Sequence, residues 1–295
     1  MGRWPDYHGR QAAGSDLMAW YERASGSRLW YEERGAGTAL VLLHGWCMSS
    51  AVWCRQLEGL SDSFRVITLD LPGHGQSTAP TGGFHVKGCA SDLAGFFESL
   101  ELQDALLAGW SLGSLIALES FELVRRRLSG LVLIAATPRF TQGDDYRCGL
   151  SRLEVEGMAR KVQRSLQRAR DGFNTRMFAP GELDDPQQAA MIKGIVSGVP
   201  LPSTEVALQA LDALVESDLR DRLASIDRPT LILNGDCDPI CPPQASEYLM
   251  QRIVSARQTV FVSCGHAPFL TQDVYFNACL KEFRGMVSGR TELQE

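Results

Sequence analysis

No apolar run in this 295-residue chain approaches the roughly 18 residues needed to span a bilayer, so a membrane protein is not expected. The opening residues, Met-Gly-Arg-Trp-Pro-Asp-Tyr-His, lack the apolar core of a signal peptide, and the expected location is the cytoplasm. Positive charge is also scarce: 29 Lys and Arg stand against 35 Asp and Glu, for a net charge of −6. A surface that attracts nucleic acid or anionic membrane as a whole is therefore excluded, and any anionic partner must meet a local basic patch. Eight cysteines are scattered without a Cys-x-x-Cys or clustered histidines. Free thiols in a reducing compartment are expected, with neither a disulfide framework nor a metal site, even at the neighbouring Cys237 and Cys241. The glycine-rich Asp70-Leu-Pro-Gly-His-Gly-Gln-Ser77 has no Gly-Lys-Ser/Thr and no Gly-x-Gly-x-x-Gly around it. It reads as a structural turn rather than a phosphate cradle, with His74 a hydrogen-bonding loop residue.

What is present is ordinary in amount, 44% hydrophobic and 22% charged residues, and informative in arrangement. Residues 18–23 and 28–33 read as an opening hairpin. Continuous apolar runs at 39–43 and 65–69 look like strands buried on both faces, and further strand-like runs lie at 105–108, 131–135, 230–233 and 259–262. Helical patterns lie between them at 52–60, 86–100, 112–126, 243–253 and 268–283. This alternation predicts an α/β fold, a mostly parallel central sheet with helices on both faces. From 138 to 220 the alternation gives way to helical patterns, read as an inserted cap over the strand ends that selects the substrate. The expected organisation is a flexible tail at 1–15, a core at 16–137 and 221–286, the cap at 138–220, and a tail at 287–295.

The strongest signal is Ala-Gly-Trp-Ser-Leu-Gly-Ser (108–114), which follows an apolar run and precedes a helical pattern. A Gly-x-Ser-x-Gly at a strand-to-helix corner forces the serine into a strained turn that needs small neighbours. Ser111 is then the candidate nucleophile. A hydroxyl needs a base to become reactive, and His266, at a strand-to-helix corner in Ser-Cys-Gly-His-Ala-Pro-Phe, is the candidate. Asp236 and Asp238 both follow the run at 230–233. Asp238 is preferred because its spacing beyond Gly235, just before Pro239, carries it away from the strand end toward the histidine. The order Ser, acid, His along the chain, each at a strand end, points to a serine hydrolase. Backbone N–H groups of Leu112, opening a helix, and Trp46, in His44-Gly45-Trp46, are the candidate oxyanion donors. Trp46, Ser111, Leu112 and Phe173 are expected to contact substrate. No cofactor is required.

Between Gly157 and Arg170 the chain carries Arg160, Lys161, Arg164, Arg168 and Arg170 and no acid. The i, i+4 spacing places Arg160, Arg164 and Arg168 on one helical face, opposite Val162, Leu166, Ala169 and Phe173. That face is either simply solvated or docks an acidic protein or phosphorylated carrier.

Val-Leu-Leu-His-Gly-Trp (41–46), Asp-Leu-Pro-Gly-His-Gly-Gln-Ser (70–77), Gly-Trp-Ser-Leu-Gly-Ser (109–114) and Gly-His-Ala-Pro-Phe (265–269) together resemble the pimeloyl-[acyl-carrier protein] methyl ester esterases of biotin synthesis. The resemblance runs from about residue 28 to 285, with Ser114 where that family usually has glycine and a longer N-terminal extension. It implies a serine carboxylesterase with Ser111 as nucleophile, His266 as base, Asp238 as its partner, and the Trp46 and Leu112 amides as oxyanion donors. It also implies an acyl-carrier protein as partner, received by basic cap residues. A broad carboxylesterase acting on small-molecule esters, or a carbon–carbon bond hydrolase, would use the same triad.

Overall fold

Where the chain is continuously apolar, it forms strands covered on both faces. The computed structural model describes residues 16–23 and 27–291, so the expected N-terminal tail, 1–15, lies outside the described residues. The strands are β1 (Leu17–Glu22), β2 (Arg28–Arg34), β3 (Ala39–Leu43), β4 (Arg65–Leu69), β5 (Ala105–Trp110), β6 (Leu128–Ile134), β7 (Thr230–Gly235) and β8 (Ala256–Phe261). They form one sheet in the order β1-β2-β4-β3-β5-β6-β7-β8. The pairs β1–β2 and β2–β4 are antiparallel, and every pairing from β4 to β8 is parallel. β3, β5 and β7 are buried along their whole length, whereas β2 alternates, with Leu29 and Tyr31 facing the core.

Helices α1 (Cys54–Leu60), α2 (Val86–Ser99) and α3 (Leu112–Val124) connect the early strands. Between β6 and β7 lie α4 (Arg152–Arg164), α5 (Leu166–Arg176), α6 (Pro186–Gly198) and α7 (Thr204–Glu216), the inserted helical cap. Its two ends meet: the Leu219 N–H donates to the Pro138 carbonyl at 2.9 Å, so the chain leaves and re-enters the sheet layer at one point. The remaining helices are α8 (Pro243–Met250), α9 (Pro268–Thr271) and α10 (Asp273–Thr291). Because β3 to β8 run in parallel, the segments following β3, β5, β7 and β8 all leave the same edge of the sheet, beneath the cap.

Two expectations are corrected. The boundary at 286/287 falls inside α10, which continues to Thr291, and Val287 is buried in the core. Gly285, Ser288 and Gly289 are weak helix formers, so packing rather than propensity sustains these last turns. The basic segment is not one helix either. Ser165 is extended (φ −168°, ψ 103°) and accepts the Arg168 N–H on its hydroxyl, ending α4 and opening α5. Serine competes for backbone donors in this way and favours caps over helix interiors. Arg168 therefore stands on a different helix from Arg160 and Arg164.

Candidate active site

The serine corner is built by two close approaches. Ser111 has φ 55° and ψ −114°, a conformation that L side chains avoid, between the end of β5 and the first residue of α3. A Cβ on Gly109 would lie 2.2 Å from the Gly113 carbonyl oxygen, and one on Gly113 would lie 2.4 Å from the Leu43 carbonyl oxygen. Only glycine fits either place. The corner is then fastened by the Ser111 N–H to the Ile134 carbonyl at 3.0 Å and by the Ser114 hydroxyl to the Ser111 carbonyl at 2.5 Å. The fully buried Ser114 hydroxyl thus adds a bond at the turn.

His266 and Asp238 meet with both side chains fully buried, Nδ1 to Oδ2 at 2.7 Å. The other carboxylate oxygen of Asp238 accepts the N–H groups of Ile240 at 2.8 Å and Cys241 at 3.0 Å. Asp236 is exposed and accepts the Cys264 N–H at 3.2 Å, so of the two contenders Asp238 is the one that reaches the imidazole. The Nε2 of His266 is buried with no hydrogen-bond partner among the described residues, which leaves it available to a hydroxyl or a substrate. Around the imidazole stand the rings of Trp110 and Phe173, with centroids at 5.5 and 6.4 Å.

An apolar cavity opens onto this corner, with Ser111, Trp46, Phe140, Phe173, Leu211 and Ile240 in its wall. Trp46 and Phe173 pack edge to face at 5.3 Å. The side chain of Leu112 is fully buried and does not line the cavity; its N–H, at the first position of α3, has no partner within its own helix. Two charged residues with no catalytic signature in the sequence, Glu154 and Arg176, also line the cavity. Arg176 donates to Glu154 at 3.0 Å and to the Pro239 carbonyl at 2.9 Å, one residue from Asp238. Glu154 also accepts from Ser151 in a capping box, and these bonds, with Arg176 beside it, hold its carboxyl below the usual range.

The motif at 70–77 is structural. Asp70 accepts from the Ser50 and Gln76 N–H groups at 2.6 and 2.7 Å, and a Cβ on Gly75 would meet its carboxylate at 2.0 Å. His44 and His74 are wholly buried, and burial pushes their imidazoles down to about 4 and about 3. Neither is suited to take up protons near neutrality. Among the described residues no group of three His, Cys, Asp or Glu could hold a metal ion, and no helix is long and apolar enough to cross a membrane.

Of the basic cap residues, Arg160, Lys161, Arg164 and Arg168 are exposed, with Arg160 paired to Glu156 at 3.8 Å. Arg170 differs: it is buried and donates to the Val199 carbonyl at 2.5 Å, which removes it from the surface set.

The family model described as alpha/beta hydrolase fold matches residues 38–273. A pimeloyl-[acyl-carrier protein] methyl ester esterase of Nitrosomonas europaea is 35% identical over 258 residues, covering 84% of this chain and 96% of that protein. One from Vibrio campbellii is 33% identical, covering 87% and 98%. Among solved structures, an esterase from Exiguobacterium antarcticum superposes with a TM-score of 0.84 at 28% identity, over 91% of this chain and 100% of that one. The parallel sheet, the strained serine at its carboxyl edge and these likenesses agree: the chain belongs to the alpha/beta hydrolase fold family, within its pimeloyl-[acyl-carrier protein] methyl ester esterase group.

Proposed function

We propose that Ser111, His266 and Asp238 form a catalytic triad and that the enzyme hydrolyses the methyl ester of a pimeloyl group carried on an acyl-carrier protein. The observation that carries the triad is the buried imidazole, anchored at Nδ1 by Asp238 and unpartnered at Nε2, in a site whose wall holds Ser111. His266 takes the Ser111 proton as Oγ attacks the ester carbonyl, and the tetrahedral oxyanion is met by the N–H groups of Trp46 and Leu112. Collapse expels methanol, protonated by His266, and leaves an acyl-serine. Water, deprotonated by the same imidazole, then attacks the acyl carbonyl and releases the free carboxylate and Ser111. No step needs a cofactor.

The apolar wall formed by Trp46, Phe140, Phe173, Leu211 and Ile240 suits a linear methylene chain. The exposed Arg160, Lys161, Arg164 and Arg168 supply the local positive charge for an acidic carrier in a chain of net charge −6. The break at Ser165 divides this charge between two helices, so docking rests on a patch rather than a single stripe.

The test compares hydrolysis of methyl pimeloyl groups bound to carrier protein and free in solution, by the native chain and by a variant with Arg160, Arg164 and Arg168 neutralised. The expected result is a KM for the carrier-bound ester raised about tenfold or more in the variant, an effect that shrinks with added salt, and an unchanged KM for the free ester. Equal rates throughout would remove the docking role. Retained hydrolysis by Ser111→Ala would remove the triad.

A further inference from the structure

The segment carrying His266 is gripped from two sides, and one side belongs to the cap. On the sheet side, a Cβ on Gly235 would lie 2.1 Å from the Cys264 carbonyl oxygen, and the Cys237 N–H donates to that oxygen at 2.9 Å. On the cap side, a Cβ on Gly265 would lie 2.2 Å from the Met177 carbonyl oxygen, just after α5. That same oxygen accepts the His266 N–H at 2.6 Å.

Beside this contact stands Glu182, in the short Ala-Pro-Gly-Glu connection between α5 and α6. Its Oε2 accepts the N–H groups of Ala179 at 2.7 Å and Gly265 at 2.8 Å. Its Oε1 accepts the Thr271 hydroxyl at 2.6 Å and the Cys264 thiol at 3.1 Å. One carboxylate thus joins the cap connection, the two residues preceding His266 and the end of α9. The backbone amides of Gly265 and His266 both find their acceptors on the cap, at Glu182 and Met177. Four donors converging on one carboxylate fix a position more tightly than a salt bridge to a mobile surface cation would.

We propose that Glu182 is a positioning residue for the His266 imidazole, so that the base is correctly aimed only when the cap is seated. The inference rests on the triad reading above and adds to it a residue that touches neither substrate nor the reacting atoms. It makes the cap part of the catalytic scaffold as well as the roof of the acyl cavity: loosening the 177–182 connection releases two amides of the histidine segment together.

The test uses the full chain with a small activated ester free in solution, so that carrier docking plays no part, and counts active sites by stoichiometric labelling of Ser111 with a serine-directed phosphonate. For Glu182→Ala, kcat per labelled site is expected to fall at least tenfold with KM changed less than threefold. The low-field proton resonance of the His266–Asp238 hydrogen bond is expected to shift or broaden. For Glu182→Gln, the amide oxygen can still serve Ala179 and Gly265 while the NH2 faces Thr271, so an intermediate kcat is expected. Thr271→Val, which deletes one donor and leaves the carboxylate in place, guards against a Glu182→Ala chain that fails to fold; its kcat per site is expected to fall a few-fold. A purely structural role would lower the number of labelled sites and leave kcat per site and the resonance as in the native chain, and that result overturns the proposal. Failure of the triad reading looks different: Ser111→Ala would hydrolyse the ester, or the phosphonate would not label Ser111.

Discussion

The indole Nε1 of Trp46 donates to the carbonyl oxygen of Ala207 at 2.9 Å, joining the loop after β3 to cap helix α7 across 161 positions of sequence. The residue whose amide is assigned to the oxyanion is thereby held by the cap through its side chain. Trp46→Phe keeps an aromatic wall and deletes the bond. Stability to urea is expected to fall by about 1 kcal/mol, and kcat for small esters to fall several-fold as the loop loosens; an unchanged kcat would separate the indole from the amide's position.

Gly113 and Gly285 invite the same substitution with opposite outcomes. The Cβ of Gly113→Ala would enter the Leu43 carbonyl at 2.4 Å, backbone that cannot swing aside. A loss of roughly 3 kcal/mol or more is expected from such overpacking, together with loss of activity. At Gly285, inside α10, a Cβ meets nothing within 4 Å. There alanine is expected to stabilise by up to about 1 kcal/mol. Urea midpoints of the two variants moving in the same direction would contradict this.

Asp238→Asn and Asp236→Asn separate the two candidate acids. The Ile240 and Cys241 amides hold one oxygen of Asp238, so an asparagine would keep its carbonyl there and turn its NH2 toward His266. The imidazole is then driven to the tautomer protonated at Nε2, which cannot accept the serine proton. A fall in kcat of about 10³- to 10⁴-fold with unchanged circular dichroism is expected. Asp236, exposed and bonded to the Cys264 amide and the neighbouring Cys237 thiol rather than to His266, is expected to tolerate the change with an effect below about tenfold.

Acid should unfold this protein through two histidines that take no part in the chemistry. His44 donates from Nδ1 to the Gly45 carbonyl and accepts the Leu71 N–H at Nε2, so both ring nitrogens are used in the neutral form. With His44 held to about 4 and His74 to about 3, both chiefly by burial, the unfolded chain binds protons that the folded one refuses once pH falls below about 6.5. Their contribution is complete above that value and is lost progressively as pH drops toward 4. For His44 alone the loss is on the order of 3 kcal/mol. Urea midpoints at pH 7.5 and 5 test this, the lower being expected at pH 5. Asp70, raised by burial, acts in the opposite direction over the carboxylate range.

Much of this architecture is legible in the sequence because its signals are local. Buried strands are unbroken apolar runs, and the serine corner needs two glycines at fixed offsets. β8 is displaced to 256–261 from the expected 259–262 because it is an edge strand: Val260 and Val262 are exposed, so apolar character there does not mark burial. The basic helix was legible in composition but not in continuity, since a single serine cap decides where α4 stops. Arg176 and Glu182 carry no signature at all, and Glu154 carries only that of a helix start, Ser151-x-x-Glu154. The partners that tie Arg176 and Glu182 to the site lie in distant segments, Arg176 meeting Pro239 from 63 positions away and Glu182 meeting Gly265 from 83, and spacing rules are blind to such pairs.

Cys237 lies at the surface, one residue from Asp238, and its N–H bonds to the residue two before His266. An environment-sensitive fluorophore attached to that thiol, with the exposed Cys54 and the half-buried Cys148 exchanged for serine, would sit beside the triad acid at a residue that does not line the cavity. Cys241, although it stands three positions further on, is buried and its thiol is pushed well up by burial, so it would stay unmodified. The molecule thus carries its own attachment point for watching, in real time, whether the roof is closed while an ester turns over.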